Sequence, residues 1–335
     1  MIAPEACGVV PLPAGRDIGT IRALDATTRT WAVVLAGGQG MRLRALTRHV
    51  YGDERPKQFA VLTGSESLLH QTIDRVSLLV PRERTVVVTM AEHGSHVAAE
   101  LRRQRPAPHV LEQPVDRGTA AAVLFAARWI AFRDPDATIV TIPSDHYVDR
   151  DALFMRHVAD AVRAGNEEPG CIALLGAEPT EPEADYGWIE LGDPITGLGR
   201  RDVYRVRQFR EKPTQTAAEG LFGAGALWNT LVFAARAQAI IEAGRRCVPA
   251  LHDRLNRLQT FLGTEHERWA VHQAYELSAR ANFSRAVLER ITDALVALPL
   301  SGVVWRDLGT PRRVVRTLAE LGLRPAWLDT LPLTG

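Results

Sequence analysis

A glycine-rich turn directly after an apolar run is the feature that most constrains this chain. Residues 31–35 (WAVVL) have the continuous apolar character of a buried parallel strand. Three glycines follow them, at Gly37, Gly38 and Gly40. Because glycine has no Cβ, its backbone N–H groups can approach an anion closely. Arg42 and Lys57 lie further on and can neutralise phosphate charge. The stretch therefore predicts an anion site, with a nucleotide as the main candidate.

Two common phosphate-binding motifs do not fit this turn. No Gly-Lys-Ser/Thr follows the glycines, so the segment is not a Walker A loop. The spacing from Gly38 through Gly40 to Leu43 lacks the third glycine of the dinucleotide fingerprint. A plain structural turn between a strand and a loop stays open as the alternative interpretation.

Composition excludes several classes of partner. A formal net charge of +1 gives no electrostatic case for nucleic-acid or membrane binding. No apolar run is long enough to span a membrane, which takes about 18 residues. The three cysteines, Cys7, Cys171 and Cys247, are widely spaced and form no metal-binding pattern or disulfide framework. This usage favours a reducing, cytoplasmic location.

Strand and helix patterns alternate along the chain, which predicts a parallel α/β sheet. Residues 1–29 have no clear period and are expected to form an irregular extension. Predicted strands cover 85–90, 138–142, 171–175, 185–190, 203–209 and 295–304, with a Gly/Pro-rich turn at 192–199. Predicted helices cover 67–79, 91–104, 120–130, 151–164, much of 234–291, and 311–321.

Polar residues follow several of these elements. Thr119 stands where it could cap the helix over 120–130. A loop that ends in such a cap explains this segment as well as a ligand-binding role does. Asp145 leaves the strand over 138–142 at its carboxyl end, where α/β sheets bind ligands. A carboxylate there suits Mg²⁺, although a turn-forming aspartate is the alternative. Asp307 precedes the last predicted helix. A role in capping the start of that helix is the alternative to a ligand-binding role for this carboxylate.

Lysine usage singles out two positions. Lys57 and Lys212 are the only lysines among 40 basic residues. Their rarity suggests places where a compact ammonium is needed and a planar guanidinium would not serve. Lys212 follows Glu211 at the end of an alternating strand, a pattern that also fits a solvated sheet edge.

The segments together resemble the sugar-1-phosphate nucleotidylyltransferases. The chain carries the pattern Leu-Ala-Gly-Gly-x-Gly-x-Arg-Leu from Leu35, and Pro-Lys follows at 56–57. The Pro-Lys-Gln-Phe version at 56–59 is most similar to the mannose-1-phosphate guanylyltransferases. The resemblance covers about residues 31–315 and includes Phe-x-Glu-Lys-Pro at 209–213 and Trp-Asn at 228–229. Departures are Met41 for Thr or Ser, Ala45 for Pro, and Thr-Leu at 230–231 for Ser-Gly.

The resemblance implies an α/β fold of a particular kind. A Rossmann-like, mostly parallel sheet flanked by helices would carry an inserted, smaller sugar-binding β-sheet and a helical C-terminal segment. A single nucleotidyltransferase domain would occupy 30–325, with a nucleotide-binding half at 30–150 and a sugar-binding half at 151–325. Some relatives continue into an isomerase or β-helix domain, and we expect neither within these 335 residues.

The resemblance also assigns roles to residues. Catalytic candidates are Arg42, Lys57 and Asp145. Nucleotide-binding candidates are Leu35, Ala36, Gly37, Gly38, Gly40, Gln113, Gly118, Thr119 and Ser144. Candidates for binding the sugar phosphate are Tyr186, Gly187, Glu211, Lys212 and Asn229. Asp145 and Asp307 would hold Mg²⁺. Leu231, in place of glycine, would narrow the pocket or change the sugar preferred.

The implied reaction makes GDP-mannose and pyrophosphate from GTP and mannose 1-phosphate. Two alternatives stay open. In the first, the chain is an enzyme that uses another sugar 1-phosphate, such as glucose 1-phosphate, or another nucleotide. In the second, it is a regulatory homologue that binds nucleotide sugars without turnover. The five charged residues kept at the site argue against the second. A homodimer is one assembly open to such a protein, and the sequence does not give the oligomeric state.

Overall fold

The computed structural model describes residues 29–102, 104–196 and 202–331. All of the predicted N-terminal extension except Arg29 lies outside the described residues, as do positions 197–199 of the predicted turn. The strands are β1 (Thr30–Ala36), β2 (Thr85–Met90), β3 (His109–Gln113), β4 (Thr138–Pro143), β5 (His146–Val148), β6 (Ile172–Ala177), β7 (Gly187–Pro194), β8 (Tyr204–Glu211), β9 (Leu227–Arg236), β10 (Leu295–Leu300) and β11 (Trp305–Asp307).

The helices lie between and after these strands. They are α1 (Arg44–Tyr51), α2 (Leu68–Val76), α3 (Gly94–Leu101), α4 (Thr119–Arg133), α5 (Asp151–Glu167), α6 (Gln215–Gly223), α7 (Ala237–Cys247), α8 (Pro249–Asn256), α9 (Glu267–Glu276), α10 (Phe283–Ala286) and α11 (Pro311–Glu320). The predicted strand over 85–90 is confirmed with both of its bounds. The helices expected at 67–79, 91–104, 120–130, 151–164 and 311–321 are also present, with ends that differ by a few residues. The predicted helical character of 234–291 is confirmed from α7 onward.

One large sheet crosses both halves of the chain. Its strand order is β3-β2-β1-β4-β9-β6-β10-β8-β7, and β5 with β11 forms a separate two-stranded ribbon. In the described part of the chain the large sheet has four parallel pairings and five antiparallel ones. The expectation of a mostly parallel sheet is therefore wrong, and the sheet is mixed.

The expectation of a separate, smaller sheet is corrected as well. β9 runs antiparallel between β4 and β6, so it joins strands from both halves of the chain. The hairpin of β7 and β8 extends the same sheet, because β8 pairs with β10 and β7 pairs with β9. Backbone donors and acceptors that a separate sheet would leave at its edge are paired in this arrangement.

Helices cover both faces of the sheet. Successive side chains of a strand point to opposite faces, so Val33 belongs to one apolar cluster and Val34 to the other. The first cluster includes α4, which is buried nearly all round, and the second includes α5. A third, smaller cluster joins α1 to α11 through Leu46 and Leu318. This contact holds α11 against the helix that follows the glycine-rich turn.

The start of α4 differs from the sequence prediction. Gly118, with a φ of +78°, occupies the N-cap position, and Thr119 is the first helical residue. The Thr119 hydroxyl does not cap α4; it accepts a hydrogen bond of 2.8 Å from the backbone N–H of Phe283. No side chain caps α4 at this position, and the threonine instead joins two distant segments. No helix in the described ranges is long and apolar enough to cross a membrane.

Candidate active site

A cleft of about 780 Å³ opens along the carboxyl ends of β1, β3 and β4. The parallel register places Leu35 of β1 beside Pro143 of β4, so the turns that follow these two strands are neighbours. The start of β9 faces the same edge, because Asn229 pairs with Gly176 at the end of β6. The sheet thus gathers segments from along the whole chain around one opening.

The glycine-rich turn is held by a buried glutamine. Gln58 Nε2 donates hydrogen bonds to the carbonyl oxygens of Ala36, at 2.8 Å, and Gly38, at 2.9 Å. Gly40 has a φ of +61°, and a Cβ there would lie 3.0 Å from the backbone N of Lys57. Only glycine fits this left-handed position so close to another backbone. The turn therefore keeps a fixed shape, with two of its carbonyls bonded to one side chain.

Lys57 joins the two aspartates that the sequence placed far apart. Its Nζ donates to Asp307 Oδ1 at 3.0 Å and lies 3.0 Å from Asp145 Oδ2. Asp145 follows β4, and the ribbon brings Asp307 opposite His146. Burial lowers the pKa of Lys57, but the two carboxylates outweigh it, so the pKa is raised overall. Burial raises the pKa of Asp307, and nearby Lys57 more than compensates, leaving that pKa lowered. Lys57 and Asp307 are therefore both charged at neutral pH.

His146 supports this centre as a neutral ring. The indole Nε1 of Trp305 donates to His146 Nδ1 at 3.3 Å, and the two rings meet edge to face. Burial is the largest influence on His146 and lowers its pKa, against the opposing effect of Asp145. Arg313 is a further neighbour of this centre and lies outside the sequence motifs. Its Nη1 lies 3.5 Å from Asp307 Oδ2, and its guanidinium lies 4.6 Å from the ring centre of Tyr186.

A strap over residues 275–283 lies against the loop that precedes α4. The backbone N–H of Ala281 donates to Arg117 O at 3.0 Å, and the N–H of Ala120 donates to Ala281 O at 3.1 Å. Tyr275 OH donates to Gln113 Oε1 at 3.3 Å. A Cβ on Gly118 would overlap the carbonyl of Ala281. The strap thus fixes Gln113, Gly118 and Thr119 along one side of the cleft.

The hairpin of β7 and β8 and the start of β9 form another wall of the cleft. A Cβ on Gly187 would lie 2.7 Å from Glu211 Oε2 and 3.1 Å from Asn229 Cβ, so these three residues are in close contact. Asn229 Nδ2 donates to Ser284 Oγ at 3.3 Å. Burial raises the pKa of Glu211, with Lys212 opposing that shift. The side chains here offer hydroxyl-binding groups beside an ammonium.

Residues 31–321 match the sequence profile of a family described as nucleotidyl transferase. The chain belongs to this nucleotidyl transferase family. The expected resemblance to sugar-1-phosphate nucleotidylyltransferases is thereby confirmed at the level of the family. Because the match covers β1 through α11, the sheet, the cleft and the ribbon with Asp307 all lie inside the family region.

Known proteins similar to the chain agree with this family. The xanthan biosynthesis protein XanB of Xanthomonas campestris pv. campestris (strain B100) is 32% identical over 281 residues, 83% of this chain and 57% of that protein. Mannose-1-phosphate guanylyltransferase 2 of Escherichia coli O157:H7 is 30% identical over 288 residues, 83% of this chain and 58% of that protein. The chain thus spans less than three fifths of the length of these relatives.

A solved structure supports the fold. The crystal structure reported as mannose-1-phosphate geranyltransferase from Thermus thermophilus has a TM-score of 0.73 and 30% sequence identity to this chain. The match covers 86% of this chain and 79% of that one. The mixed sheet and its flanking helices are therefore an arrangement shared with a solved relative.

The sequence-predicted site residues of this nucleotidyl transferase lie together with one exception. All of them line the cleft except Ala36, which is buried and whose carbonyl accepts from Gln58 and Thr89. Ser144 lines the cleft, but its hydroxyl donates to Leu35 O at 2.7 Å and braces β1 against β4. Arg42 is half-exposed and lies 3.3 Å from Asp185. Both lysines of the chain line the cleft.

Sequence reasoning missed several residues of the family site. Gln58 belongs to the Pro-Lys-Gln-Phe segment, but the segment alone does not indicate its role in holding the glycine-rich turn. Arg313, Tyr275 and Ser284 stand outside every motif named above, and each contacts a residue that lines the cleft: Asp307, Gln113 and Asn229, respectively. Asp307 is not the N-cap of α11, because Thr310 accepts the hydrogen bond from Arg313 N at 3.3 Å.

The pair Asp145 and Asp307 fits a magnesium ion. Carboxylate oxygens are the donors that Mg²⁺ prefers, and one or two carboxylates with substrate phosphates are its usual protein site. Both side chains reach the same point, the Nζ of Lys57, so one cation can contact both. Within 29–102, 104–196 and 202–331, no group of three or more His, Cys, Asp or Glu residues forms a denser metal site.

Proposed function

We propose that the protein transfers a guanylyl group from GTP to mannose 1-phosphate, releasing pyrophosphate and forming GDP-mannose. The observation that carries the proposal is the contact of Lys57 with both Asp145 and Asp307 beside the glycine-rich turn. That contact puts an ammonium and two carboxylates where a triphosphate bound to the turn would lie. Relatives named mannose-1-phosphate guanylyltransferase, at about 30% identity, support the choice of substrates.

The proposed chemistry is a displacement at phosphorus. A phosphate oxygen of the sugar 1-phosphate attacks the α-phosphorus of GTP, and the bond from that phosphorus to the β-phosphate bridging oxygen breaks. Pyrophosphate carries away the bonding electrons. Such a reaction depends on alignment of the two phosphates and on neutralising their charge, and it needs no covalent enzyme intermediate.

Residues on the two sides of the cleft would divide this work. The N–H groups of the glycine-rich turn and the half-exposed Arg42 would hold the β- and γ-phosphates. Lys57, fixed by its two aspartates, would balance charge near the α-phosphate. Lys212, at the end of β8, would bind the phosphate of the sugar as a point charge.

The remaining roles concern recognition. Gln113, Gly118 and Thr119 would contact the base and ribose from the strap side. Glu211 and Asn229 would bind sugar hydroxyls, and Gly187 would let the sugar approach because it has no side chain. Asp145 and Asp307 would hold Mg²⁺, which when bound supplies charge neutralisation to the phosphates.

Location and assembly are part of the proposal. The wide spacing of the cysteines supports a cytoplasmic location, and the two within the described residues, Cys171 and Cys247, are free thiols. A homodimer stays a prediction. Because the chain spans less than three fifths of its curated relatives, we propose only the guanylyl transfer.

Pyrophosphate release tests the proposal directly. The chain is incubated with Mg²⁺, each of four nucleoside triphosphates, and either mannose 1-phosphate or glucose 1-phosphate. We expect release with GTP and mannose 1-phosphate, loss of release with excess EDTA, and recovery on adding Mg²⁺. Release with a different pair would keep the mechanism and refute the substrates.

A binding measurement separates the remaining alternative. If no pair releases pyrophosphate while GTP or GDP-mannose raises the melting temperature, the protein binds nucleotide sugars without turnover and the proposal is wrong. The shift in melting temperature is measured with the GTP or GDP-mannose concentration far above the dissociation constant. A protein that neither turns over nor binds would refute both functions.

A further inference from the structure

Backbone strain in the described residues is concentrated at the cleft. Two non-glycine residues there have a positive φ, Lys212 at 51° and Leu231 at 57°. Both line the cleft. An L-amino acid is strained in this left-handed region because its Cβ crowds the backbone, and such positions cluster at functional sites. Leu231 is notable because leucine, unlike asparagine, has no side-chain hydrogen bond with which to compensate.

The neighbours of Leu231 hold its backbone in this conformation. Its N–H donates to Asn229 Oδ1 at 3.0 Å. Thr230, which precedes Leu231, is fully buried. Its hydroxyl donates to Leu175 O at 2.6 Å and accepts from the N–H of Val232, which follows Leu231, at 3.1 Å. The backbone around Leu231 is thus held by Leu175 of β6 and by the side chains of Asn229 and Thr230. Glycine would adopt this backbone conformation without strain, so leucine at position 231 lowers the free energy of unfolding relative to glycine.

The Leu231 side chain borders the sugar side of the cleft. It is half-buried, with one part packed against the core and another facing the opening. Asn229, which accepts its N–H, is in turn packed against Gly187 and bonded to Ser284. Leu231 therefore adds an apolar side chain next to Asn229 and Glu211, the residues that offer hydroxyl-binding groups.

We propose that Leu231 is a specificity-determining wall of the sugar-phosphate subsite. Its side chain makes no hydrogen bond to a sugar, so it acts by volume. It excludes hexose 1-phosphates with a bulky substituent on the side that faces β9, while Glu211 and Asn229 bind hydroxyls. This inference rests on the proposed function and deepens it.

Two variants separate the volume of the side chain from the backbone strain. Leu231→Ala removes most of the wall and keeps a Cβ at positive φ. Leu231→Gly removes the wall and the strain together. The wall hypothesis predicts the same change of sugar preference in both variants. A role of the strained backbone predicts a change in the glycine variant alone.

The readout is relative kcat/KM with GTP and Mg²⁺ for mannose 1-phosphate, glucose 1-phosphate and N-acetylglucosamine 1-phosphate. The acetamido group makes the last of these the bulkiest. We expect the ratio of N-acetylglucosamine 1-phosphate to mannose 1-phosphate to rise at least about tenfold in both variants, the lower end of what a small change of pocket volume gives.

A stability comparison checks the strain by a route that needs no activity. Leu231→Gly should melt at a higher temperature than Leu231→Ala. Gly225 provides the calibration, because its φ is +73° and a Cβ there would meet no atom within 4 Å. Gly225→Ala should lower the melting temperature of the wild type by about the difference between Leu231→Gly and Leu231→Ala. Only the left-handed backbone opposes the added methyl group at residue 225.

The outcomes are distinct. An unchanged sugar ratio in both Leu231 variants overturns the wall, and so does a change confined to the glycine variant. If the wild type releases no pyrophosphate with any pair, the proposed function has failed and the wall falls with it; the wild-type measurement identifies this case. An active wild type with unchanged variant ratios is a failure of the wall alone.

Discussion

The Nζ of Lys57 lies 3.0 Å from a carboxylate oxygen of Asp307, although 250 positions separate the two residues in the chain. Lys57 belongs to a short turn after the glycine-rich segment, and Asp307 ends the second strand of the β5–β11 ribbon. Asp145 completes the contact from the end of β4. The centre therefore requires the chain from β1 to β11 to be folded as one unit.

Replacing Lys57 tests the role given to this contact. In Lys57→Ala the ammonium is lost, and two carboxylates that face each other lose their shared cation. We expect turnover to fall at least about a hundredfold, the size of effect seen when one charge-stabilising group is removed from an active site. Asp145→Ala should lower turnover by a similar factor. Pyrophosphate release under saturating substrates measures both.

A surface variant provides the control. Arg245 and Glu242 form an exposed ion pair away from the cleft, so Arg245→Ala should leave turnover within the error of the assay. Far-UV circular dichroism of all three variants should match the wild type. Near-normal turnover in both folded variants, Lys57→Ala and Asp145→Ala, would contradict the assignment of these two residues to the chemistry.

Local patterns were enough to predict much of the fold. The strand over 85–90 and the buried helix after residue 118 follow from apolar runs, and such signals are local. The glycines and the two lysines also lie at the cleft as expected. The glycines and Lys212 stand directly after a strand, and the end of a strand is where an α/β sheet binds ligands. Lys57 lies further along the chain and is indicated by the rarity of lysine.

Long-range pairing was beyond the sequence. The direction of β9 depends on its partners β4 and β6, and no local pattern distinguishes a parallel from an antiparallel buried strand. The same limit explains Thr119, whose hydroxyl bonds a residue 164 positions away instead of capping its own helix. Arg313 lies only six positions after Asp307, but its contacts with Glu183 and Tyr186 cross the fold and follow from no local pattern.

Gln58 offers a second test, of how the glycine-rich turn is held. Gln58→Glu keeps the size of the side chain but replaces the donor Nε2 by an oxygen, which faces two carbonyl oxygens. Leaving these buried groups unpaired costs about 1–3 kcal/mol each. The turn should lose its shape, and we expect the KM for GTP to rise at least about tenfold with a smaller change in kcat.

Gln215 supplies a matched control for this substitution. Its Nε2 also donates to a carbonyl, that of Pro182 at 3.1 Å, but at an exposed position. Gln215→Glu should therefore leave the KM for GTP unchanged, because water can solvate both groups. Equal KM values for wild type and Gln58→Glu would show that the turn binds phosphate without this clamp.

Glu211 should make the protein less stable as pH rises. Burial is the largest influence on its pKa and raises it, while Lys212 and Arg285 oppose that shift only in part. A carboxyl with a raised pKa in the folded state contributes fully to stability below its unfolded value of about 4.3, and loses that contribution as pH rises through the folded value. Glu211→Gln removes this dependence and should melt above the wild type at pH 7.

Melting temperatures between pH 4 and pH 8 test the sign of this effect. The advantage of Glu211→Gln should widen with increasing pH, while its turnover falls because a sugar ligand is lost. Glu242 is the opposite case: a hydrogen bond from Arg245 lowers its pKa, so Glu242→Gln should lose stability relative to the wild type as pH rises. A constant gap for Glu211→Gln would contradict the raised pKa.

The strap over 275–283 leaves no room for a side chain at residue 118. Gly118 has a φ of +78°, and a Cβ there would overlap the carbonyl of Ala281, a backbone group that cannot turn aside. Gly118→Ala should therefore push the strap away from the start of α4 and break the hydrogen bond from Ala120 N to Ala281 O. We expect a lower melting temperature and a higher KM for GTP.

Gly52 separates this clash from the general cost of a left-handed alanine. Its φ of +76° is nearly the same, but a Cβ there would meet no atom within 4 Å. Gly52→Ala should lower the melting temperature by the conformational penalty alone, on the order of 1 kcal/mol, and leave the KM for GTP unchanged. The larger loss in Gly118→Ala then measures the contact with the strap. Equal losses in the two variants would mean that the strap yields freely and does not fix the base side of the cleft.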